Sequence, residues 1–132
     1  MCLKLKLKPH EKLIIGGAVI QNGETGVEIF VENKVPILRK KDIIGLSEAE
    51  TPCKKVYFTI QMMYVDEKNI AEHHKTYWAL VRDIIEAAPT TNLMFQVISN
   101  HILGEDYYQA LKATKKLIEY EEEVINRVRK PA

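Results

Sequence analysis

The sequence predicts an α+β protein: a small five-stranded antiparallel β unit docked on a C-terminal bundle of about four helices. Up to about residue 44, apolar residues alternate with polar ones in short segments separated by glycine, proline and asparagine. From residue 47, apolar residues recur every three or four positions over much longer segments. We therefore expect a β unit over residues 1–44 and a helical part over residues 47–130.

Five short strands account for the β unit. They are Leu3–Lys8, Lys12–Ile15, Ala18–Gln21, Val27–Glu32 and Val35–Arg39. Pro9 ends the first strand because it has no N–H for a ladder, and Pro36 favours an edge position or the start of a strand. Gly16-Gly17 closes the second strand, and Asn22-Gly23 predicts a hairpin turn since both residues tolerate a positive φ.

The first helical segment contains the signals for a central helix. Ser47 to Glu50 has the S-x-x-E form of a capping box. At Thr51-Pro52 the helix restarts, because proline suits the first helical position and the residue before it suits an N-cap. From Cys53 to Val65, apolar residues cover most of the circumference. We expect this helix to pack against both the β unit and the other helices.

Three further helices are expected. One runs from about Ile70 to Ala88, the next is capped by Thr90 or Thr91 and ends at Leu103 before Gly104, and the last spans about Asp106 to Arg129. The inner stripe of the last helix is Leu111, Thr114, Ile118, Ile125 and Val128, and Glu121-Glu122-Glu123 is interpreted as solvated surface. At about 36 Å this helix can extend beyond its own domain, so its far end is a candidate surface for a protein partner.

Composition indicates a soluble, cytoplasmic protein. The 132 residues are 46% hydrophobic and 28% charged, and no signal peptide or apolar run of membrane-spanning length is present. Cys2 and Cys53 lack a metal-binding or redox spacing, which favours reduced thiols. The net charge of +1 is uneven: residues 1–41 carry eight basic and four acidic residues, and the remainder eleven and fourteen. An anionic partner would therefore meet the N-terminal part.

No motif indicates an enzyme. His73-His74 is the best metal candidate, but neighbouring helical residues point about 100° apart, and no HExxH or Cys/His partner accompanies the pair. His10 and His101 stand alone. Gly16-Gly17 follows a strand but precedes another strand, so it forms no phosphate loop at a helix N-terminus. We expect no catalytic residue, no metal site and no cofactor.

Two groups of basic residues could bind the phosphate backbone of a nucleic acid. Lys4, Lys6 and Lys8 share one face of the first strand about 6–7 Å apart, and Arg39, Lys40 and Lys41 follow at the end of the β unit. Together they could follow a single-stranded backbone. The alternative is a charged edge strand that only blocks unwanted strand pairing. Phe30 is the only aromatic residue in the β part, so stacking of several bases is not expected.

The chain resembles the FlbT family of flagellar biosynthesis regulators along most of its length. The matching segments are LKLKLKPHEKLIIGGAVIQNG (residues 3–23), ENKVPILRKKDII (32–44), TPCKKVYFTIQMMY (51–64), LVRDIIEAAP (80–89) and DYYQALKATKKLIEYEEE (106–123). The resemblance implies a regulator that binds the 5′ untranslated region of flagellin mRNA and changes its translation or decay. Repression and activation both occur in the family, so the sign of the effect stays open.

Residues 2–43 also look like the carbon storage regulator CsrA, a small dimeric sheet that binds mRNA leaders. The shared order is a first strand, a glutamate four residues past its end, L-I-I-G, a glycine-containing hairpin, V-x-I-x-V and an arginine before an acidic residue and isoleucine. This likeness implies RNA contacts by the first strand and by Arg39. Asn33-Lys34 departs from the Ala-Pro that is usual there, and the middle of the sheet is shorter.

A second hypothesis is a non-catalytic adaptor of flagellar assembly that affects RNA only indirectly. Its long last helix would then bind another flagellar regulatory protein. A homodimer is also expected, either through the open edges of the β unit or through the last helix.

Overall fold

The computed structural model describes residues 2–129, of which Arg129 is described by its backbone alone. The chain forms two compact units, one up to Ile43 and one from Ile44 onward. Five antiparallel strands in the first unit and four α-helices in the second confirm the predicted α+β class.

The five strands form two sheets. Their bounds are β1 Leu3–Leu7, β2 Lys12–Ile15, β3 Ala18–Gln21, β4 Val27–Val31 and β5 Ile37–Arg39. β1 pairs with β4, and β2 lies between β3 and β5. Buried Leu5, Leu7 and Leu13 form the core between the sheets, with Ile15, Ile29, Val31 and Ile37 packed around it. The two-residue alternation of β1 thus places Leu5 and Leu7 inside and the lysines outside, while Leu3 at the start of the strand is 49% exposed.

Gly16 and Gly17 form the hairpin turn between β2 and β3. Ile15 pairs with Ala18 across the turn, and the two glycines have φ values of 56° and 86°. Such a two-residue turn needs a positive φ at both positions. A Cβ atom on Gly16 would lie 2.9 Å from Cγ2 of Val35, so the position also requires glycine for space.

The predicted hairpin at Asn22-Gly23 is wrong, because β3 and β4 lie in different sheets. The Asn22 side chain instead holds the end of β1. Its Nδ2 donates to the backbone oxygen of Lys8 at 2.8 Å and to that of Thr25 at 2.9 Å. Asn22 thus lies where the chain crosses from one sheet to the other. Its side-chain amide forms hydrogen bonds in place of those that the backbone of a hairpin would have formed.

The helical unit contains α1 Pro52–Val65, α2 Ile70–Ala87, α3 Asn92–Leu103 and α4 Tyr107–Arg129. α1 packs on α2 and α4, and α3 packs on α4. The Thr51 hydroxyl accepts a hydrogen bond from the Lys54 N–H at 3.3 Å, which confirms the predicted N-cap. The expected helix opening at Ser47 is only a 3₁₀ turn over Leu46–Glu48. Over residues 2–129, no helix combines the length and apolar character that a bilayer crossing requires.

Two predictions on α4 need correction. Glu121 is half-buried rather than solvated: its carboxylate accepts hydrogen bonds from the Thr51 hydroxyl and from the Cys53 N–H, the latter at 3.1 Å. It therefore caps the N-terminus of α1 from another helix. Val128, at the end of α4, is 82% exposed rather than part of the inner stripe.

Candidate nucleic-acid interface

The lysines of β1 lie on the outer face of the two-stranded sheet. Lys4 pairs with Phe30 and Lys6 with Glu28, so these four exposed side chains share one face. The Lys4 Nζ lies 3.4 Å from Glu28 Oε1. Glu28 therefore offsets part of the positive charge of Lys4 and Lys6 on this face. Phe30, which is 59% exposed, places one aromatic ring beside Lys4.

Arg39 is held in place by its neighbours within the β unit. Its Nε donates to Glu11 Oε2 at 3.0 Å, and its Nη2 donates to the backbone oxygen of Lys6 at 2.8 Å. Glu11 in turn accepts a hydrogen bond from the Lys8 N–H at 3.0 Å. The arginine expected to bind RNA thus also links the end of β5 to the end of β1.

Glu11 is a site residue to which sequence reasoning assigned no role. The Lys8 backbone N–H, together with the Arg39 guanidinium, lowers the pKa of Glu11 below its usual range. The carboxylate therefore stays ionised at neutral pH and keeps Arg39 oriented. The available signal was a single acidic residue directly after the Pro9-His10 turn in an otherwise basic segment.

Four of the six predicted residues meet around one open concavity of about 760 Å³, which we call the basic cup. Its lining is Lys8, Pro9, His10, Glu11, Arg39, Lys40 and Lys41. Lys4 and Lys6 lie outside it on the sheet face. Within residues 2–129, the ammonium groups of Lys8, Lys40 and Lys41 form no ion pair. Three unpaired cations around one concave surface suit a phosphate group.

The turn that forms one wall of the basic cup has a defined conformation. His10 adopts a left-handed backbone with φ 61°, and its N–H donates to the Gly23 oxygen at 2.9 Å. The Glu11 N–H closes the turn on the Lys8 oxygen at 3.1 Å. His10 therefore lines the basic cup, where its sequence neighbours indicated no role for it.

His73 of the predicted metal candidate instead bonds to Asp66, with its Nε2 2.9 Å from Oδ2. This hydrogen bond lowers the pKa of Asp66, and a hydrogen bond from Asn69 lowers it further. Among residues 2–129, no three His, Cys, Asp or Glu side chains are grouped to hold a metal ion. Burial, reinforced by Glu121, raises the pKa of the Cys53 thiol to about 12, so this thiol is protonated at neutral pH.

Comparison with known proteins identifies the family. The sequence model described as "Flagellar protein FlbT" matches residues 3–125. The "Probable flagellum biosynthesis repressor protein FlbT 1" of Bradyrhizobium diazoefficiens is 43% identical over 125 residues, covering 94% of this chain and 85% of that protein. The corresponding protein of Caulobacter sp. (strain K31) is 37% identical over 130 residues, covering 97% and 99%.

A third relative, the "Flagellum biosynthesis repressor protein FlbT" of Caulobacter vibrioides, is 35% identical over 130 residues, covering 97% of this chain and 92% of that protein. No solved structure matches the chain significantly. Matches of this extent leave neither unit outside the similarity. The chain belongs to the FlbT family of flagellar proteins.

Proposed function

We propose that this protein represses flagellum biosynthesis after transcription, by binding the 5′ untranslated region of flagellin mRNA through the basic cup. The observation that carries the proposal is the convergence of Lys8, Lys40 and Lys41, all unpaired, beside an arginine held in place by Glu11. Such a regulator acts in the cytoplasm, where mRNA is translated, and needs no catalytic residue.

The arrangement favours a single-stranded ligand. Phosphates would contact the ammonium groups of the basic cup, and Arg39 would position the strand rather than supply a mobile charge. Lys4 and Lys6 extend the cationic surface along β1, and Phe30 offers one ring on which a base can stack. Glu28 reduces the positive charge of this outer face. The basic cup therefore contributes more to the affinity for RNA than Lys4 and Lys6 do.

The relatives support the regulatory part of the proposal. Three of them carry the words "flagellum biosynthesis repressor" in their names, which favours repression over activation for this chain. The RNA ligand is our inference from charge, geometry and the resemblance in sequence.

The test is a gel-shift titration of the full chain against the leader of a flagellin mRNA at two salt concentrations. Each lost single-strand phosphate contact lowers the salt slope by about 0.7. Three contacts in the basic cup then predict roughly a 20-fold weaker affinity at about 200 mM than at about 50 mM salt. The double variant Lys40→Gln/Lys41→Gln should bind more weakly and reduce the slope by about 1.4.

Two further variants locate the contacts. Lys4→Gln/Lys6→Gln removes the same charge from the sheet face, and we expect a smaller loss there than in the cup variant. Lys68→Gln/Lys75→Gln, in the helical unit, is the matched control, because both lysines are exposed and lie outside the β unit. Its affinity should equal that of the parent.

The proposal fails if the cup variant remains folded and binds the leader as tightly as the control variant does. Binding of the leader without salt dependence, or no direct binding, would instead support the adaptor hypothesis. All variants should retain the parent melting temperature, since exposed lysines contribute little to folding.

A further inference from the structure

The strand β4 leaves one edge of the two-stranded sheet open. Within residues 2–129, no backbone hydrogen bond joins Val27–Val31 to any segment other than β1. Its side chains are also poorly covered: Val27 is 41% and Phe30 59% exposed, and Ile29 and Val31 are only half-buried. Lysine, proline or a bulge usually protects an open edge, and β4 has none of these. It therefore offers unpaired N–H and C=O groups to a further strand.

A second copy of β4 is complementary to this edge. When two identical strands pair antiparallel about a two-fold axis normal to the sheet, opposite residues point to the same face, so the axis must pass through a residue. An axis at Ile29 aligns all five residues of β4. Val27 then lies opposite Val31 of the other copy, and Glu28 opposite Phe30. The inner face of the joined sheet is apolar along the whole contact.

Charge fixes this register. An axis at Glu28 would place the two copies of this glutamate directly opposite each other, and an axis at Phe30 would place Glu28 opposite Glu32 twice. Like charges directly opposite each other destabilise a strand pair. With the axis at Ile29 each glutamate faces a phenylalanine instead. Its carboxylate is also partly neutralised within its own copy, because the Lys4 Nζ lies 3.4 Å away.

The other strands at the ends of the two sheets are less suited to pair with their own copies. An axis at Leu5 in β1 would place Lys4 opposite Lys6 twice. In the four-residue β3 no more than three residues can be aligned, because the axis must pass through a residue. The remaining end strand, β5, is only three residues long. Of these strands, β4 alone combines five aligned residues with no opposed charges.

We propose that this chain forms a dimer in which the two β4 strands pair antiparallel with the two-fold axis at Ile29. The two-stranded sheets then join into one four-stranded sheet in the order β1-β4-β4-β1. A two-stranded sheet gains stability from added strands, since alone it is marginal. The joined outer face carries Lys4, Lys6 and Phe30 from both copies. The dimer does not depend on RNA binding, so the two proposals can fail separately.

Cysteine cross-linking tests the register. In a Cys2→Ser background, Glu28→Cys and Phe30→Cys are mixed under reducing conditions and then oxidised. Opposite residues have Cα atoms roughly 4.5–5.5 Å apart, within the range of a disulfide. Two copies of the same variant instead place their cysteines on a diagonal, roughly 7–8 Å apart. We expect a covalent dimer on non-reducing gels from the mixture and much less from either variant alone.

The control for cross-linking is a cysteine on the other sheet. Val19 is 72% exposed on β3, so Val19→Cys has an accessible thiol outside the proposed interface. Mixed with Glu28→Cys or with Phe30→Cys, it should give no more covalent dimer than chance collision produces.

Opposite charges at position 30 test the contact across the axis. Phe30→Glu places a glutamate opposite Glu28 of the other copy, and Phe30→Lys places a lysine there, twice in each dimer. Both variants lose the ring, so their difference reports the charge alone. We expect Phe30→Glu to self-associate about ten times more weakly than Phe30→Lys in sedimentation equilibrium. Val19→Glu and Val19→Lys, on β3, should associate equally.

The stability of the single copy distinguishes this effect from misfolding. Within one copy, position 30 lies beside Lys4, which favours glutamate over lysine. Phe30→Glu should therefore melt no lower than Phe30→Lys by circular dichroism at a concentration where both are monomeric. Weaker association of the more stable variant cannot result from loss of the fold.

Four results would overturn the proposal. They are a parent that sediments as a monomer at every concentration tested, a cysteine mixture that cross-links no better than its separate variants, equal association of Phe30→Glu and Phe30→Lys, and a dimer that responds to charge at Val19. The last result would place the interface on β3 instead of β4.

Discussion

Glu121 joins the end of α4 to the beginning of α1, and its removal should destabilise the helical unit. Its carboxylate accepts from the Thr51 hydroxyl and from the Cys53 N–H, which is one of the N–H groups of α1 without an intrahelical partner. Glu121→Ala leaves this partly buried N–H unsatisfied and removes a negative charge from a helix N-terminus. A hydrogen bond to a charged group contributes about 1.5–3 kcal/mol, and the charge beside the helix end about 0.3–1 kcal/mol.

We therefore expect Glu121→Ala to lower the free energy of unfolding by about 2–3 kcal/mol. For a protein of this size that corresponds to a fall in Tm of roughly 6–12 °C. Far-ultraviolet circular dichroism during urea and thermal unfolding, at a single protein concentration, measures both quantities. Glu122→Ala is the matched control, because Glu122 lies next to Glu121 on the same helix but is exposed. The free energy of unfolding of this variant should lie within about 0.5 kcal/mol of that of the parent.

A double-mutant cycle isolates the contact itself. Thr51→Ala removes the N-cap of α1 and the hydroxyl bonded to Glu121 together. The double variant should therefore lose less than the sum of the two single losses, with a coupling of about 0.5–3 kcal/mol. The reasoning is refuted if Glu121→Ala unfolds like Glu122→Ala, or if the two single effects add fully.

Three other predictions follow from residues in both units. Gly16→Ala should cost about 1–2 kcal/mol, because the position has a positive φ and its Cβ would contact Val35, whereas Gly23→Ala, with no atom within 4 Å, should be neutral by urea unfolding. Ile60→Asp should prevent folding of the helical unit, because a fully buried unpaired carboxylate costs several kcal/mol; a variant that melts like the parent by circular dichroism would contradict this. The lowered pKa of Glu11 means that its contribution to stability is present above its ordinary value near 4.5 and disappears as the pH falls through the lowered pKa. The stability difference between the parent and Glu11→Gln should therefore shrink below that pH, and a difference that grows on acidification would refute the assignment.

The sequence by itself determined the elements and most of their ends. Strand bounds follow from alternation along β1 and from the turns that interrupt it, and Thr51-Pro52 and Pro89 set the ends of two helices. These signals are local, because steric limits and missing N–H groups act on the residue itself and on its immediate neighbours. The lysine alternation likewise predicted which face of β1 is solvated.

The tertiary structure decided which elements meet and which residues those contacts satisfy. Asn22-Gly23 has the local chemistry of a hairpin, yet the chain crosses to the other sheet there and uses the asparagine amide to hold β1. On α3, Val97 is 52% exposed while the nearby Phe95 is buried, because the contact with α4 decides which apolar residues of this helix lie inside.

The same limit applies to the candidate site. The basic residues could be identified from the sequence, but Glu11 and Arg39 are 28 positions apart, and Thr51 and Glu121 are 70 apart. A carboxylate in a charged segment gives no local sign of a distant partner. A solvated glutamate and a glutamate that bonds to a distant residue can have the same neighbours in the sequence. Only packing brings such pairs within bonding distance, and packing therefore decided that one glutamate orients an arginine while another caps a helix.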